Sequence, residues 1–318
     1  MKQKLLSMGT IDTVGVYRIK SIVHEHYGIT SLRVRKIQTG IANTNYAIYT
    51  SSKIFLLKIY SVRRTSLQIE YELKTLMFLA SRNFECPRVV KTKDKTLFFQ
   101  EKGRTCVLFH YIPGTVLTRV TPSRMYAIGN QLGRLHTLFR REKSMNTKIR
   151  ETWEPRDVKK HLLTSGRQKT REGEVSRFLM KKLNKINFPR QLPSGFTHQD
   201  VKPQNIIVDS RGIMHFLDFD NSYHGVFLYD CMTTVIWTCF QHGRVRQEFL
   251  EAFFNGYEQQ RKLISREKEF IYGALAFRLI REVTVWKTIY GMRKGGTMIN
   301  LFLSLLKSLE NRKTFCKL

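Results

Sequence analysis

The sequence predicts an α+β fold in two lobes, an antiparallel sheet followed by a mainly helical part. Three observations lead there. β-Branched and aromatic runs separated by turn residues crowd the first third of the chain, while apolar residues at helical spacing dominate the remainder. A length of 318 residues, 42% hydrophobic and 12% aromatic, is enough for two compact cores. A break at Ile112-Pro113-Gly114 reads as a hinge, which gives an N-terminal lobe over 1–109 and a C-terminal lobe over 110–318.

The elements follow in order. Ile11 to Tyr27 carries Val16, Ile19, Ile22 and Val23 at helical spacing and ends before Gly28, as helices often do. Leu32 to Ile37, Tyr46 to Thr50 and Ile54 to Tyr60 read as strands, with a polar turn from Gln38 to Asn45 between the first two. A helix spans Ser66 to Ser81, with Leu73, Leu76, Met77 and Leu79 apolar and Glu70 and Glu72 in its first turns. Leu97 to Gln100 and Thr105 to Tyr111 form a hairpin around Lys102-Gly103, and a helix runs from Ser123 to Phe139. The stretch 140–190 is rich in Lys and Arg and reads as helices of an insert. Ile206 to Val208 and Ile213 to Leu217 pair as strands across the turn Asp209 to Gly212. Cys231 to Phe240 is an apolar helix, and Ile271 to Tyr290 a mixed one that carries Arg278, Arg281 and Glu282.

Chemistry concentrates in two short segments, Phe196-Thr197-His198-Gln199-Asp200-Val201-Lys202-Pro203-Gln204-Asn205 and Phe216-Leu217-Asp218-Phe219-Asp220. Asp200 stands five positions before Asn205 in a loop that Pro203 is expected to keep from becoming helical, and Asp218 follows a short apolar strand. That spacing suits phosphoryl transfer. One carboxylate orients an acceptor hydroxyl while the amide of Asn205 and the carboxylate of Asp218 hold Mg²⁺ on the phosphates of ATP. Such a transition state is loose, so a protein contributes mostly position and charge. Lys202 either adds positive charge to the transferring group or stays solvated. Lys58 ends the apolar run Ile54-Phe55-Leu56-Leu57 inside a strand, a costly place for an ammonium unless it meets an anion. It is expected on the α- and β-phosphates, the alternative being a strand-end lysine that reaches solvent along its stem. Glu70 or Glu72 should pair with it. Gly40 and Asn43 sit in the polar turn whose backbone N–H groups could cover phosphates, though an ordinary hairpin explains the turn as well. Backbone groups near Phe109 and Tyr111 are expected at the adenine edge, with His110 a packed hinge residue.

The pattern H-x-D-V-x-x-x-N followed by D-F-D is similar to the protein-kinase H-R-D-L-x-x-x-N and D-F-G, with two departures. Gln199 replaces the Arg that receives the activation-loop phosphate in many protein kinases, and Asp220 replaces the Gly. Both departures resemble the aminoglycoside phosphotransferase and choline kinase superfamily. So do Cys86-Pro87-Arg88-Val89-Val90, Leu132-Gly133-Arg134-Leu135-His136, Phe227-Leu228-Tyr229-Asp230-Cys231 and Phe253-Phe254-Asn255-Gly256-Tyr257, so that the likeness covers roughly residues 30 to 290. The resemblance implies a bilobal protein-kinase-like fold, a nucleotide-binding first lobe, a catalytic and acceptor-binding second lobe, and transfer to a hydroxyl of a small molecule. It favours Glu72 over Glu70, because Leu76 and Leu79 fall where they do after the superfamily's ion-pairing Glu. It makes His136 structural, places Asp230 under the catalytic loop in a supporting role, and assigns 140–190 to shaping the acceptor site. Gly40-Ile41-Ala42-Asn43-Thr44-Asn45-Tyr46 is similar to the G-I-E-N-T-N-Y of type II homoserine kinases, whereas Lys202 and Gln204 stand where that group has aromatic and acidic residues. An amino alcohol, a homoserine-like molecule or a sugar fits as acceptor; a cationic aminoglycoside fits poorly in a chain short of acidic residues.

Two other classes compete with a small-molecule kinase. A kinase-fold structural or binding protein, such as a spore-coat component, would not need Lys58, Asp200, Asn205 and Asp218 together. A protein kinase would be expected to keep the loop Arg and an A-P-E-like segment. Lys plus Arg at 55 against Asp plus Glu at 25 gives 55 − 25 = +30 and a pI near 10.2, a field that favours anionic partners and would support polyanion contact through the basic surface. Cys86, Cys106, Cys231, Cys239 and Cys316 form an odd set without a C-x-x-C pair and read as buried thiols of a reducing compartment. Met1 to Thr10 lacks an apolar core of signal-peptide length, and no stretch reaches a membrane span, so a cytoplasmic location is expected.

Overall fold

Helix α1 (Val16–Tyr27) buries Ile19, Ile22 and Val23 and stops at Gly28, whose backbone enters the left-handed region at φ 68° while its N–H caps His24 O. The structure, a computed structural model, describes residues 15–37, 43–139, 152–241 and 243–310. The expected helix start at 11–14 lies outside them. By its own contacts the chain divides into Met1–Pro113 and Gly114–Leu318, inside the break at Ile112-Pro113-Gly114 and a little beyond the lobe boundary expected after residue 109.

In the first unit, β1 (Arg33–Ile37), β2 (Thr44–Tyr49), β3 (Ile54–Ile59), β4 (Val89–Val90), β5 (Phe99–Glu101) and β6 (Arg104–His110) build one antiparallel sheet in the order β1-β2-β3-β6-β4, with β5 also on β6. Helix α2 (Ser66–Ser81) starts at a capping box in which Thr65 and Gln68 satisfy each other's backbone N–H. The apolar residues of α1 pack with Tyr46, Ile48, Leu57 and Leu108 into the core of this unit.

The second unit begins at Gly114, where a Cβ would stand 2.4 Å from Val208 O and φ is 152°. Only glycine fits this approach. It lets β7 (Thr115–Val116) pair with β9 (Ile206–Val208), which pairs in turn with β10 (Met214–Phe216). Separately, β8 (Ser194–Thr197) pairs with β11 (Tyr223–Val226). The helices are α3 (Pro122–Leu138), α4 (Pro155–Gly166), α5 (Arg171–Leu183), α6 (Phe227–Thr238), α7 (Gln247–Tyr257), α8 (Ser265–Lys294) and α9 (Gly296–Glu310). Helices α3 and α7 touch backbone to backbone: a Cβ on Gly129 would fall 1.9 Å from Phe253 O, and one on Gly256 2.0 Å from Tyr126 O.

Three expectations are corrected. Pro203 does not prevent helix; it opens a single 3₁₀ turn, Pro203–Asn205, because a proline at the first helical position has no N–H to lose. Helix α6 starts at Phe227 rather than Cys231, so Asp230 lies in its first turn, and Phe240 belongs to a two-residue strand paired with Arg244–Val245. Helix α8 is longer than Ile271 to Tyr290 and is broken at Gly291, with φ 72°. Residues 140–151 of the basic insert lie outside the described ones. Among the described residues, no helix is long and apolar enough to cross a membrane. Cys86, Cys106, Cys231 and Cys239 are buried free thiols, and burial pushes Cys86, Cys106 and Cys239 up to about 12; Cys316 is not among the described residues.

Candidate active site

In the first unit, strand β3 carries Lys58 opposite Asn45 on β2 and Val107 on β6, so its backbone is fixed from both sides. Its ammonium, 10% exposed, lies 3.3 Å from Glu72 Oε1 on α2 and over the Tyr60 ring at 4.5 Å. Glu72 also accepts from Tyr60 OH at 3.0 Å and pairs with Arg64 at 3.1 Å. Glu70 pairs instead with Lys74, on the outer side of the helix. The carboxylate that meets Lys58 is therefore the one two residues further on, held by three donors at once. No motif or spacing in the sequence marks Tyr60 and Arg64 as partners of Glu72.

Of the other nucleotide candidates, Asn43 is buried and its Oδ1 accepts the Ser61 N–H at 3.1 Å, tying the end of the polar turn to the end of β3. Gly40 is not among the described residues. Phe109 is buried in β6 between Leu56 and Val89. The His110 N–H is taken by Arg88 O at 2.9 Å and the Tyr111 N–H by Ile54 O at 3.2 Å.

In the second unit, β8 delivers the chain into the loop at His198-Gln199-Asp200. Asp230, wholly buried, accepts the backbone N–H of His198 and that of Gln199, both at 2.7 Å. Burial would raise this carboxyl, but the His136 ring and the His198 amide more than offset that and hold it below the usual range. The His136 Nε2 lies 3.1 Å from Asp230 Oδ2, and its Nδ1 accepts from Tyr257 OH at 2.6 Å. Arg261 donates to that hydroxyl at 3.2 Å and is fixed by both oxygens of Glu267. The glycine contact between α3 and α7 is what brings His136 and Tyr257 together. His198 is set by two bonds, since Nδ1 accepts the Asp200 N–H at 3.2 Å and Nε2 therefore donates to Leu217 O at 2.9 Å. Burial lowers both imidazoles, which keeps them neutral.

Asp200 itself is 16% exposed, 2.9 Å from Lys202 Nζ, and accepts from Asn205 Nδ2 at 2.9 Å. The same Nδ2 reaches Asp200 O at 2.9 Å, so the donor end of the amide is committed inward and its oxygen is the end left to act as a ligand. Burial raises the Asp200 carboxyl above its ordinary value, against the pull of Lys202. Asn205 stands just before β9 and Asp218 two residues after β10, at the same end of the paired strands, where the Leu217 N–H donates to Asn205 O at 2.8 Å. Asp218 takes the left-handed conformation, φ 61°, ψ 63°, at the start of the turn Phe219–Asn221. One carboxylate and one amide oxygen suit a hard cation such as Mg²⁺ that completes its shell with phosphate and water. Among the described residues no group of three or more His, Cys, Asp or Glu side chains is placed to hold a metal by itself. The structure thus brings Asp200, Lys202 and Asn205 together in one unit, with Asp218 on the neighbouring strand end, and Lys58 with Glu72 in the other.

The chain belongs to the phosphotransferase enzyme family, whose model matches residues 33–263. It is a small-molecule kinase with a bilobal, protein-kinase-like α+β fold. Homoserine kinase from Brucella anthropi is 27% identical over 262 residues, covering 77% of this chain and 76% of that protein. Among solved structures, an amicoumacin kinase in complex with AMP-PNP and Ca²⁺ is similar with a TM-score of 0.70 at 16% identity, over 94% of each chain. A microcompartment-associated aminopropanol kinase is similar with a TM-score of 0.70 at 19% identity, over 93% of this chain and 97% of that one.

Proposed function

We propose that this kinase moves the γ-phosphoryl group of ATP to a hydroxyl of a small amino alcohol or homoserine-like acceptor, with Mg²⁺ as the metal. The observation that carries the reading is the Asp200 loop: a carboxylate with its pKa raised by burial, fixed by Lys202 and Asn205 on a backbone that Asp230 holds from beneath. Asp200 accepts or orients the acceptor's hydroxyl proton. Lys202 adds positive charge where the transferred group passes. Lys58, steadied by Glu72, contacts the α- and β-phosphates; Asn205 and Asp218 would hold the metal, which when bound neutralises phosphate charge. Asn43, and Gly40 by its place in the sequence, are assigned to covering the phosphates. The segment Phe109 to Tyr111 is assigned to the adenine edge; the N–H groups of His110 and Tyr111 there are already engaged, by Arg88 O and Ile54 O. The acceptor class is supported by the homoserine kinase and aminopropanol kinase relatives. The cytoplasm, where ATP is made available, is the compartment this chemistry fits.

The basic face of α4 and α5, with Arg156, Lys159, Lys160, Arg171 and Lys181 exposed, would carry any polyanion contact; loss of heparin retention on reversing these charges tests it separately. For the activity itself, ADP release is screened across amino alcohols, homoserine and sugars, with Asp200→Asn as the blank. Acceptor-dependent release in the parent protein alone supports the reading. Equal release by both proteins would remove Asp200 from its role, and the lack of an ATP-dependent thermal shift with Mg²⁺ would remove the nucleotide.

A further inference from the structure

The residue just before Asp200 is held in an unfavourable conformation, and a helix distant in sequence holds it there. Gln199 has φ 66°, in the left-handed region that a side chain with a Cβ rarely adopts. Every polar group it has is occupied. Its N–H donates to Asp230 at 2.7 Å, its Nε2 to Thr197 Oγ1 at 2.9 Å, and its two oxygens both accept from Arg278, Oε1 from Nη1 at 2.7 Å and the backbone O from Nη2 at 3.1 Å. Arg278 is 1% exposed on α8, and the same Nη2 pairs with Glu282 Oε1 at 2.9 Å, which Arg281 also contacts at 3.0 Å. A buried guanidinium that is not needed for its fork would be costly, and replacing it by an apolar residue would be the cheaper way to fill that space.

We propose that Arg278 is a positioning residue for the reaction: by gripping Gln199 through side chain and carbonyl, it fixes the left-handed turn that aims Asp200. The proposal rests on the reading of Asp200 as the group that meets the acceptor hydroxyl. It also gives the Gln199 substitution a purpose. A loop Arg in this position would repel Arg278, whereas a glutamine offers it an oxygen, so the loop is held by an arginine built into the fold and needs no added phosphate.

Two variants of the full chain test this, Arg278→Met and Gln199→Met, the second leaving Arg278 and its Glu282 pair in place. Hydrogen exchange of the 196–205 peptide is measured first, with the β9 to β10 hairpin as the internal reference. Faster exchange of the loop at unchanged exchange of the hairpin is expected for both, and unchanged loop exchange in both overturns the proposal whether or not an acceptor is known. For acceptor-dependent ADP release, kcat should fall by about 10²-fold, the cost of misplacing a reacting group by about 1 Å, with KM for ATP changed by less than about twofold. Gln199→Gly in the Arg278→Met background should recover at least about tenfold of kcat, because glycine adopts positive φ unaided. No rescue, with a loss spread over kcat and KM alike, would make Arg278 a packing residue only. Failure of the parent protein to release ADP with any acceptor would count against the proposed function, while the exchange result would still decide the grip on Gln199.

Discussion

Replacing Asp230 by Asn should separate the charge under the loop from its shape. The carboxylate is wholly buried and accepts three bonds, from the amides of His198 and Gln199 and from the His136 ring. Asparagine keeps one acceptor oxygen and turns its NH₂ toward at least one of those N–H donors. Each bond to a charged acceptor is worth about 1.5–3 kcal/mol against about 1 for a neutral one, and a buried N–H left without a partner costs about 1–3 kcal/mol. Downgrading two retained contacts by about 0.5–2 kcal/mol each and orphaning one donor at about 1–3 kcal/mol sums to about 2–7 kcal/mol, a span that contains the 3–5 typical of breaking a buried pair. Urea unfolding at an unchanged m-value gives the number directly. Because the folded Asp230 titrates below an ordinary Asp, its stabilisation is complete above the unfolded value of about 3.9 and fades as pH falls through its own lower value. The gap between parent and variant should then be full at pH 7 and narrow toward pH 3. A loss under about 1 kcal/mol, or a gap independent of acid, would refute the argument that the charge holds the loop.

Three further outcomes are expected. Gly129→Ala should destabilise by about 1–3 kcal/mol despite alanine's better helix propensity, since its Cβ would meet the Phe253 carbonyl and the backbone there cannot yield; a stabilised variant in urea would contradict this. Lys202→Met removes the cation that pulls Asp200 down against burial, so the acid limb of the kcat profile should move to higher pH, and a shift to lower pH would be the wrong sign. Glu154, which accepts from Tyr223 OH at 3.3 Å, is pushed up to about 7 by burial, so its neutral form suits the fold and ionising it costs stability as pH climbs from 4.5 through 7. The melting temperature of Glu154→Gln should therefore gain on that of the parent between pH 5 and 8.

Local signals were legible where residues decide the matter by themselves. Helix α2 begins where Thr65 and Gln68 can cap it and runs from Ser66 to Ser81 as its apolar spacing requires. The hairpin of β9 and β10 follows from β-branched residues around an Asp-to-Gly turn. The start of α6 is unmarked because Val226, Phe227 and Leu228 form one apolar run across the boundary, Gly225 falls inside β11 rather than at its end, and no capping side chain signals the change. Pro203 misled because the same missing N–H that ends a helix is harmless at its first position. In the site, the resemblance pointed to Asp230 and preferred Glu72 over Glu70, and both make the contacts described. Arg278 and Gln199, 79 residues apart, share no periodicity or spacing; the one hint was a buried-looking helix that carries Arg278, Arg281 and Glu282 among apolar neighbours. Tyr257 stands in the Phe253-to-Tyr257 motif of the resemblance but with no role attached, and Arg261 and Glu267 carry no signal, since a tyrosine hydroxyl finds its partner only once α3 and α7 are packed.

The account stands or falls on Asp200. Acceptor-dependent ADP release should be measured with MgATP and a saturating amino alcohol or homoserine for the parent chain and for Asp200→Asn, with folding and ATP-induced thermal stabilisation compared alongside. A folded, nucleotide-stabilised Asp200→Asn whose kcat has dropped by at least about 10²-fold is the expected result. Turnover that survives the substitution, in a protein that still binds ATP, would contradict it.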